Sequence, residues 1–314
     1  MSIANSAFFR LKRLGSALTL SCVALAIACA IQQTQPSIDA IDTRHLTDEA
    51  GRTVNLPSKI ERLISLAPNL TEIVYAIGAG DRLVGNTTFC DYPEEAKNVQ
   101  RVGDTLQPSI ERILALRPQL VLVSTASQLE AFTKQLDQHE IAVYVTNPRD
   151  LEGVFRSIEN VGELLNQQER AEQVVNQLRG RATSVEEAVR LSKPVRVFYQ
   201  LLAEPLYTAG RDSFVTDLIR RAGGISVTAD VPEAWPRYSE ESAVAARPEA
   251  IILPTDGSMG SANSTVAEGL KRSPAALSGK VYKIDGDFLS RPGPRAVDGL
   301  EEIARALHPE VLTK

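Results

Sequence analysis

The stretch SIERILALRPQLVLV, residues 109–123, recurs as SEESAVAARPEAIIL at residues 239–253. In both copies a serine is followed two residues later by a glutamate, and then by an Arg-Pro pair and an apolar run. Each copy is typical of a short helix that begins at a serine cap, ends before the proline and leads into a buried strand. The repeat therefore predicts two similar α/β units whose equivalent positions are 130 residues apart.

Predicted strands and helices alternate on both sides of this repeat. Residues 61–85 indicate a strand, a turn and a helix, and further strands are expected at 120–124, 141–146, 195–201, 251–254 and 280–285. At the start of the first helix, Asn69 and Glu72 have the spacing of a capping box. Regular alternation of this kind favours mainly parallel sheets, so the predicted fold class is α/β with two Rossmann-like lobes.

Between the lobes, residues 151–192 carry apolar side chains at helical spacing along their whole length. The simplest interpretation is one long, rigid linking helix, and the alternative is a helix broken near 165–168. The predicted domains are an N-terminal lobe at 46–150, the linking helix at 151–192 and a C-terminal lobe at 193–314.

The N-terminus has the pattern of an export signal. Arg10, Lys12 and Arg13 precede an apolar run of 15 residues, 14–28, which is too short to span a bilayer comfortably. We therefore expect residues 1–28 to be a signal peptide and 29–45 to be a tether. Cys29 follows Ala-Ile-Ala, which favours lipidation of this cysteine, although a leucine is usual where Ala26 stands. Simple cleavage at a small-x-small site remains the alternative.

Composition narrows the class of protein. Among the 314 residues 43% are hydrophobic and 23% charged, as in soluble globular proteins. Removing the signal peptide takes the net charge from −5 to −8, which argues against a nucleic-acid partner. Only Cys90 then remains in the folded body, so no internal disulfide framework is expected, and this thiol is predicted to be buried and inert.

Motifs for metal binding and catalysis are missing from the sequence. The three histidines, His45, His139 and His308, are scattered, whereas a zinc or manganese site needs clustered ligands. Neither GxSxG nor HExxH occurs, which argues against an exported hydrolase and for a protein that is not an enzyme.

Six segments, in order, resemble the class III substrate-binding proteins of ABC importers, and among these the cobalamin-binding members. The segments, which cover nearly the whole chain after the signal, are RLISLAPNLTEIVYAIGAGDRLVG, NTTFCDYPEEA, SIERILALRPQLVLV, FYQLLAEPLYTAG, AWPRYSEESAVAARPEAIIL and DFLSRPGPR. The resemblance implies two lobes joined rigidly by a helix, a monomer in the periplasm or at the cell surface, ligand between the lobes, and a permease dimer as partner.

The resemblance also assigns ligand contacts to Phe89, Trp235, Asp287, Phe288 and Arg291. Aromatic faces stack on flat macrocycles, and an arginine donates several hydrogen bonds. The structural alternatives are core packing for Phe89 and a surface ion pair for Arg291.

Neighbouring side chains are given supporting roles. Tyr92 is expected to be structural, and Arg295 is expected to support the turn after Arg291 or to cap the lobe.

In the resembled family, one glutamate of each lobe docks onto permease arginines, and Glu111 and Glu241 fall on those positions. A two-lobed protein that meets a two-fold permease needs one anchor per lobe. The alternative is that both carboxylates only stabilise their helices through the helix dipole.

The predicted cargo is cobalamin or a related corrinoid, and no cofactor or metal of the protein's own is expected. A ferric siderophore is the alternative if Arg237, Arg291 and Arg295 face an anionic ligand. Haem is a further alternative if Tyr207 or Tyr238 serves as an axial ligand.

Overall fold

Apolar runs of the N-terminal half pair as a parallel sheet in the computed structural model, which describes residues 43–124, 129–255 and 265–311. The sheet has the order β4-β3-β5-β6, and all of its strands run parallel. Its elements are β3 (Leu63–Ser65), α1 (Pro68–Ala76), β4 (Leu83–Asn86), α2 (Ile110–Ala115), β5 (Leu120–Ser124), α3 (Leu129–Asp137) and β6 (Ala142–Thr146). The predicted parallel α/β lobe is therefore confirmed.

A separate hairpin precedes this lobe. Strands β1 (Thr43–Thr47) and β2 (Thr53–Pro57) pair antiparallel around Gly51, whose φ of +80° is readily adopted only by glycine. Because β1 already begins at Thr43, the segment predicted as a tether ends before that residue. The predicted signal peptide, Cys29 and the tether up to residue 42 lie outside the described residues.

The C-terminal half forms a second, mixed sheet. Strands β11, β10 and β7 lie side by side in parallel, and β7 pairs in parallel with β9 at its start and antiparallel with β8 at its end. Its elements are β7 (Val195–Ala203), β8 (Leu206–Thr208), α6 (Phe214–Arg221), β9 (Gly224–Ser226), α7 (Glu240–Ala245), β10 (Ala250–Thr255), α8 (Pro274–Leu277), β11 (Val281–Asp285), α9 (Gly286–Ser290) and α10 (Ala296–Leu307).

The segment between the lobes is two helices, so the prediction of one continuous helix is wrong. Helix α4 (Leu151–Leu164) ends where Asn166 adopts a left-handed φ of +52°, and α5 (Gln168–Val189) follows. Arg179, in the second half of α5, lies 3.4 Å from Glu152 and 5.1 Å from the ring of Phe155, both near the start of α4. This contact shows that the two helices pack antiparallel. Helical periodicity continues across the break, so it did not reveal the turn.

Continuous apolar packing connects the two lobes. One core cluster extends from α1 and the inner face of the first sheet through α4 and α5 to α6, α10 and the second sheet. Smaller clusters lie under α2 and under α7, on the other face of each sheet. Because a shared core deforms little, this arrangement favours lobes that keep a fixed relative position.

The duplicated segments fold alike. Ser109 accepts a hydrogen bond from the backbone N–H of Arg112, and Ser239 accepts the equivalent bond from Ser242, so both predicted caps are confirmed. At each of the ten positions, residues 111–120 have the same degree of burial as the equivalent residues of 241–250. Each lobe thus presents the same short helix on its sheet.

Candidate functional site

The predicted ligand contacts follow the carboxyl ends of strands, where open α/β sheets bind ligands. Phe89 follows β4, and Asp287, Phe288 and Arg291 follow β11. Trp235 lies on the loop that pairs with β8, which continues from the carboxyl end of β7. The structure thus brings the predicted residues to the carboxyl-end loops of both sheets.

Phe89 is presented by a loop that Arg101 holds in place. The Nη1 atom of Arg101 donates to Asn86 Oδ1 at 2.5 Å, to the carbonyl of Thr87 at 2.7 Å and to that of Cys90 at 2.9 Å. Cys90 is a buried free thiol, as predicted. Phe89 remains 40% exposed, which excludes the core-packing alternative and leaves an aromatic face available.

Trp235 is held in a similar way from the other lobe. The backbone N–H groups of Thr208 and Gly210 donate to the carbonyls of Pro236 and Ala234 at 3.1 and 3.0 Å. The Trp235 ring lies 6.4 Å from the buried ring of Tyr199, and the residue is 40% exposed. A large aromatic ring on a fixed loop is suited to stacking against a flat ligand.

Five charged residues join the lobes, and we call them the inter-lobe cluster: Glu72, Asp91, Asp287, Arg291 and Arg295. From the C-terminal lobe, Arg291 Nη1 lies 2.7 Å from Asp91 Oδ1 and 3.4 Å from Glu72 Oε1, and Nη2 lies 2.9 Å from Asp287 Oδ1. Arg295 donates to Glu72 through Nε at 3.0 Å and through Nη2 at 2.6 Å.

Two aromatic rings enclose the Arg295 guanidinium. Its central carbon lies 4.2 Å from the ring centroid of Tyr92 and 5.4 Å from that of Phe288. Cation–π contacts of this kind are favourable and orient the planar group. Tyr92 belongs to the N-terminal lobe and is 48% exposed, so the contact adds an aromatic face between the lobes.

Burial and charge shift the pKa values of the acidic residues of the cluster in different directions. Burial raises the pKa of Glu72, against the opposing effect of Arg295 and Arg291, and burial likewise raises the pKa of Asp287. Partial burial also acts to raise the pKa of Asp91, but the hydrogen bond and charge of Arg291 outweigh it, so this pKa lies below its usual value.

The cluster corrects two expectations drawn from local sequence. Helix α1 begins after Ala67 with no side-chain cap, so the capping box of Asn69 and Glu72 is wrong. Glu72 instead reaches the two arginines, and the Asn69 amide donates to the carbonyl of Pro292 at 3.3 Å. The sequence predicts that Arg295 supports a turn or caps its lobe, and it does not reveal the contact across the lobes, because the partner Glu72 lies 223 residues away.

The predicted ligand residues fall into two groups. Phe89 and Trp235 expose their rings, whereas Arg291 is 4% exposed and Asp287 9% exposed within the cluster. Phe288 lies against Arg295. Arg291 is therefore engaged in a buried inter-lobe ion pair, which differs from the surface pair considered as its structural alternative.

Glu111 and Glu241 are exposed in the first turns of α2 and α7. Their neighbour Glu240 is used differently, since its carboxylate accepts a hydrogen bond from the backbone N–H of Gly269. The two equivalent glutamates are thus available for contact with another protein.

Within residues 43–124, 129–255 and 265–311, no group of three or more metal-ligating side chains is placed to hold a metal ion. Over those same residues, none of the helices combines the length and apolar character needed to cross a membrane.

Comparison with known proteins identifies the family of the chain. A family model described as periplasmic binding protein matches residues 63–287. An uncharacterized ABC transporter substrate-binding lipoprotein of Bacillus subtilis is 32% identical over 272 residues, which are 84% of this chain and 85% of that protein.

Two solved structures show the same fold. The periplasmic vitamin B12 binding protein of Vibrio cholerae has a TM-score of 0.69 at 27% identity, covering 80% of this chain and 97% of that one. The periplasmic heme-binding protein of Roseiflexus sp. RS-1 has a TM-score of 0.71 at 26% identity, covering 80% and 99%.

The two α/β lobes have the class III binding-protein architecture. The chain belongs to the periplasmic binding protein family, in the group of ABC-importer substrate-binding proteins for vitamin B12, haem and siderophores. The family consists of substrate-binding proteins rather than enzymes, and membership implies a small-molecule ligand and a permease partner.

Proposed function

We propose that this protein captures cobalamin or a related corrinoid between its lobes and delivers it to a membrane permease. The observation that carries the proposal is the division of the site into exposed aromatic rings and neutralised arginines. Phe89, Tyr92 and Trp235 offer apolar faces, which suit a large macrocycle with amide edges.

The charge of the inter-lobe cluster favours this cargo over an anionic one. Three carboxylates surround two guanidiniums, so Arg291 and Arg295 carry no surplus positive charge for haem propionates or an anionic siderophore. An anion would have to displace a carboxylate already bonded to arginine, and displacing Glu72, whose side chain is 1% exposed, would leave a buried and unpaired carboxylate.

Haem and siderophores remain the second candidates, since the Roseiflexus heme-binding protein has the same fold. The candidates that the sequence offers for an axial haem ligand are Tyr207 and Tyr238. Both side chains are partly buried and pack against core clusters, and Tyr238 lies 6.0 Å from the ring of Phe198. This packing argues against either of these two tyrosines as an axial ligand.

Docking to the permease is assigned to Glu111 and Glu241. The support is their exposure at equivalent positions of two matching helices, one in each lobe. Exposed charges at two symmetric points steer encounter and fix register with a two-fold partner.

We also propose that the protein works outside the cytoplasm, held at the membrane by a lipid on Cys29. The basic and apolar pattern of residues 1–28 supports export, and the Bacillus subtilis relative is described as a lipoprotein.

The test is calorimetric titration of the purified protein with cyanocobalamin, haem and a ferric siderophore under one set of conditions. We expect one equivalent of cyanocobalamin to bind more tightly than either of the others. Tighter binding of haem or of the siderophore would replace the corrinoid assignment with that cargo.

A further inference from the structure

We infer that the ion pair between Glu72 and Arg295, which we call the tie, connects the two lobes and holds the lobes at the separation needed for cargo binding. Both are positioning residues, because they act on the cargo site through the separation of the lobes. The inference rests on the proposed capture of cargo between the lobes, but it does not depend on which cargo is bound.

The geometry of the tie fixes orientation as well as distance. Two nitrogens of one planar guanidinium meet two oxygens of one carboxylate, at 3.0 Å from Nε to Oε2 and 2.6 Å from Nη2 to Oε1. A two-point contact between planar groups constrains their relative rotation, which a single ion pair does not. Because Glu72 belongs to α1 and Arg295 precedes α10, this constraint applies between the lobes.

Three further residues contact Arg295 and hold its guanidinium in the position that meets Glu72. Tyr92 from the N-terminal lobe stacks on the guanidinium at 4.2 Å, and Phe288 from the C-terminal lobe lies at 5.4 Å. Asp287 Oδ2 lies 3.5 Å from Nη2. The Glu72 side chain is only 1% exposed and that of Arg295 15%, so the pair is largely enclosed by protein.

A second connection joins the C-terminal lobe to α4. Asp217 of α6 accepts a hydrogen bond from the backbone N–H of Leu151 at 3.0 Å, and Arg221 lies 3.6 Å from Glu152. Helices α4 and α6 therefore meet through contacts that do not involve the tie. Two independent connections resist rotation of one lobe against the other better than either connection alone.

An arginine–carboxylate pair inside the N-terminal hairpin, in which both nitrogens contact one oxygen, serves as the control. Arg52 contacts Asp48 through Nε at 2.8 Å and Nη2 at 2.7 Å, and the Asp48 side chain is fully buried. Both residues lie in the N-terminal hairpin. Arg52→Met should therefore reduce stability without changing the separation of the lobes.

The experiment measures the distance between spin labels on the two lobes. Cysteines are introduced at the exposed positions Gln135 and Leu277, with Cys22 and Cys29 replaced by serine; the buried Cys90 should not react. Distance distributions are recorded for the parent protein and for Glu72→Gln, Arg295→Met, Arg295→Lys and Arg52→Met. Each is measured free and with saturating cyanocobalamin.

We expect a broadened or shifted distribution in free Glu72→Gln and Arg295→Met, and an unchanged one in Arg52→Met. Arg295→Lys keeps the charge but loses the planar fork, so it should broaden the distribution while remaining folded. If the competent separation falls to about a tenth of the population, apparent cargo affinity falls about tenfold. Cargo should then narrow the distribution again.

Distributions in both Glu72→Gln and Arg295→Lys as narrow as in the parent would overturn the tie. The free-protein distances need no cargo, so they test it separately from the proposed function. If the variants show broadened distributions but the parent protein does not bind cyanocobalamin, the tie is kept and the corrinoid assignment is refuted.

Discussion

Arg62 and Arg196 make the same bond in the two lobes. Each donates through Nη2 at 2.6 Å to a carbonyl at the end of a duplicated helix, Arg62 to Leu116 and Arg196 to Ala246. Arg117 and Arg247 follow these carbonyls with φ values of 46° and 48°. The repeat therefore holds α2 and α7 at matching positions, so that Glu111 and Glu241 are equivalent.

Replacing both Glu111 and Glu241 by alanine should leave cargo affinity unchanged and weaken complex formation with the permease by at least about tenfold. The physical reason is the loss of one exposed charge per lobe from a symmetric contact. Binding to permease in membranes or nanodiscs, measured over a range of salt, checks this, and the difference between wild type and variant should shrink as salt rises.

The matched control for that variant is Glu94→Ala with Glu268→Ala. These exposed carboxylates also lie one in each lobe, so the control removes the same net charge. If the control weakens the complex as much as the test variant does, the effect comes from overall charge, and Glu111 and Glu241 only stabilise their helices.

Trp235→Ala should weaken corrinoid binding by about 1–3 kcal/mol, because a large stacked surface is lost. The stability of the free protein should change little, since the ring is 40% exposed. Calorimetry and thermal unfolding measure the two effects. Leu277→Ala, which removes a 76% exposed apolar side chain elsewhere, should alter neither; unchanged corrinoid affinity in Trp235→Ala would remove this residue from the site.

Cargo binding should change the radius of gyration by about 1 Å or less, because the core cluster and the ion pairs between the lobes oppose closure. Small-angle X-ray scattering with and without saturating cargo measures this change. A decrease of several ångströms would mean that the lobes hinge in spite of these contacts.

Asp217 should make part of the stability dependent on pH. Burial acts to raise the pKa of Asp217, but the hydrogen bond from Leu151 and the ion pairs with Arg220 and Arg221 outweigh it, so this pKa lies below its usual value of 3.8. The stabilisation is therefore present above that value and lost as the pH falls towards the folded-state pKa.

Asp217→Asn should cost about 1.5–3 kcal/mol at neutral pH, as expected for hydrogen bonds to a charged group. The loss of unfolding free energy should become smaller in acid, because wild-type Asp217 is then protonated and as uncharged as the asparagine of the variant. Urea unfolding of both proteins from about pH 7 down to about pH 3 measures this loss. A difference in unfolding free energy between wild type and Asp217→Asn that stays constant over this range would exclude Asp217 as a source of the pH dependence.

Local chemistry was enough to predict much of the fold. The serine caps at Ser109 and Ser239 depend on residues three positions away, so their patterns are visible in sequence. The break at Asn166 was only an alternative, because the apolar faces of α4 and α5 keep one period across it. Glu72 shows the limit most clearly, since its spacing to Asn69 suggested a cap whereas its partners lie 219 and 223 residues away.

Trp235 is the only tryptophan of the chain, so its fluorescence reports directly on the proposed site. The most direct test is to titrate the purified protein with cyanocobalamin while recording this emission and the binding heat in parallel. We predict saturable quenching at one equivalent, with the same midpoint in both measurements. Binding heat with unchanged Trp235 emission, or no binding at all, would contradict the account of a corrinoid held against this ring.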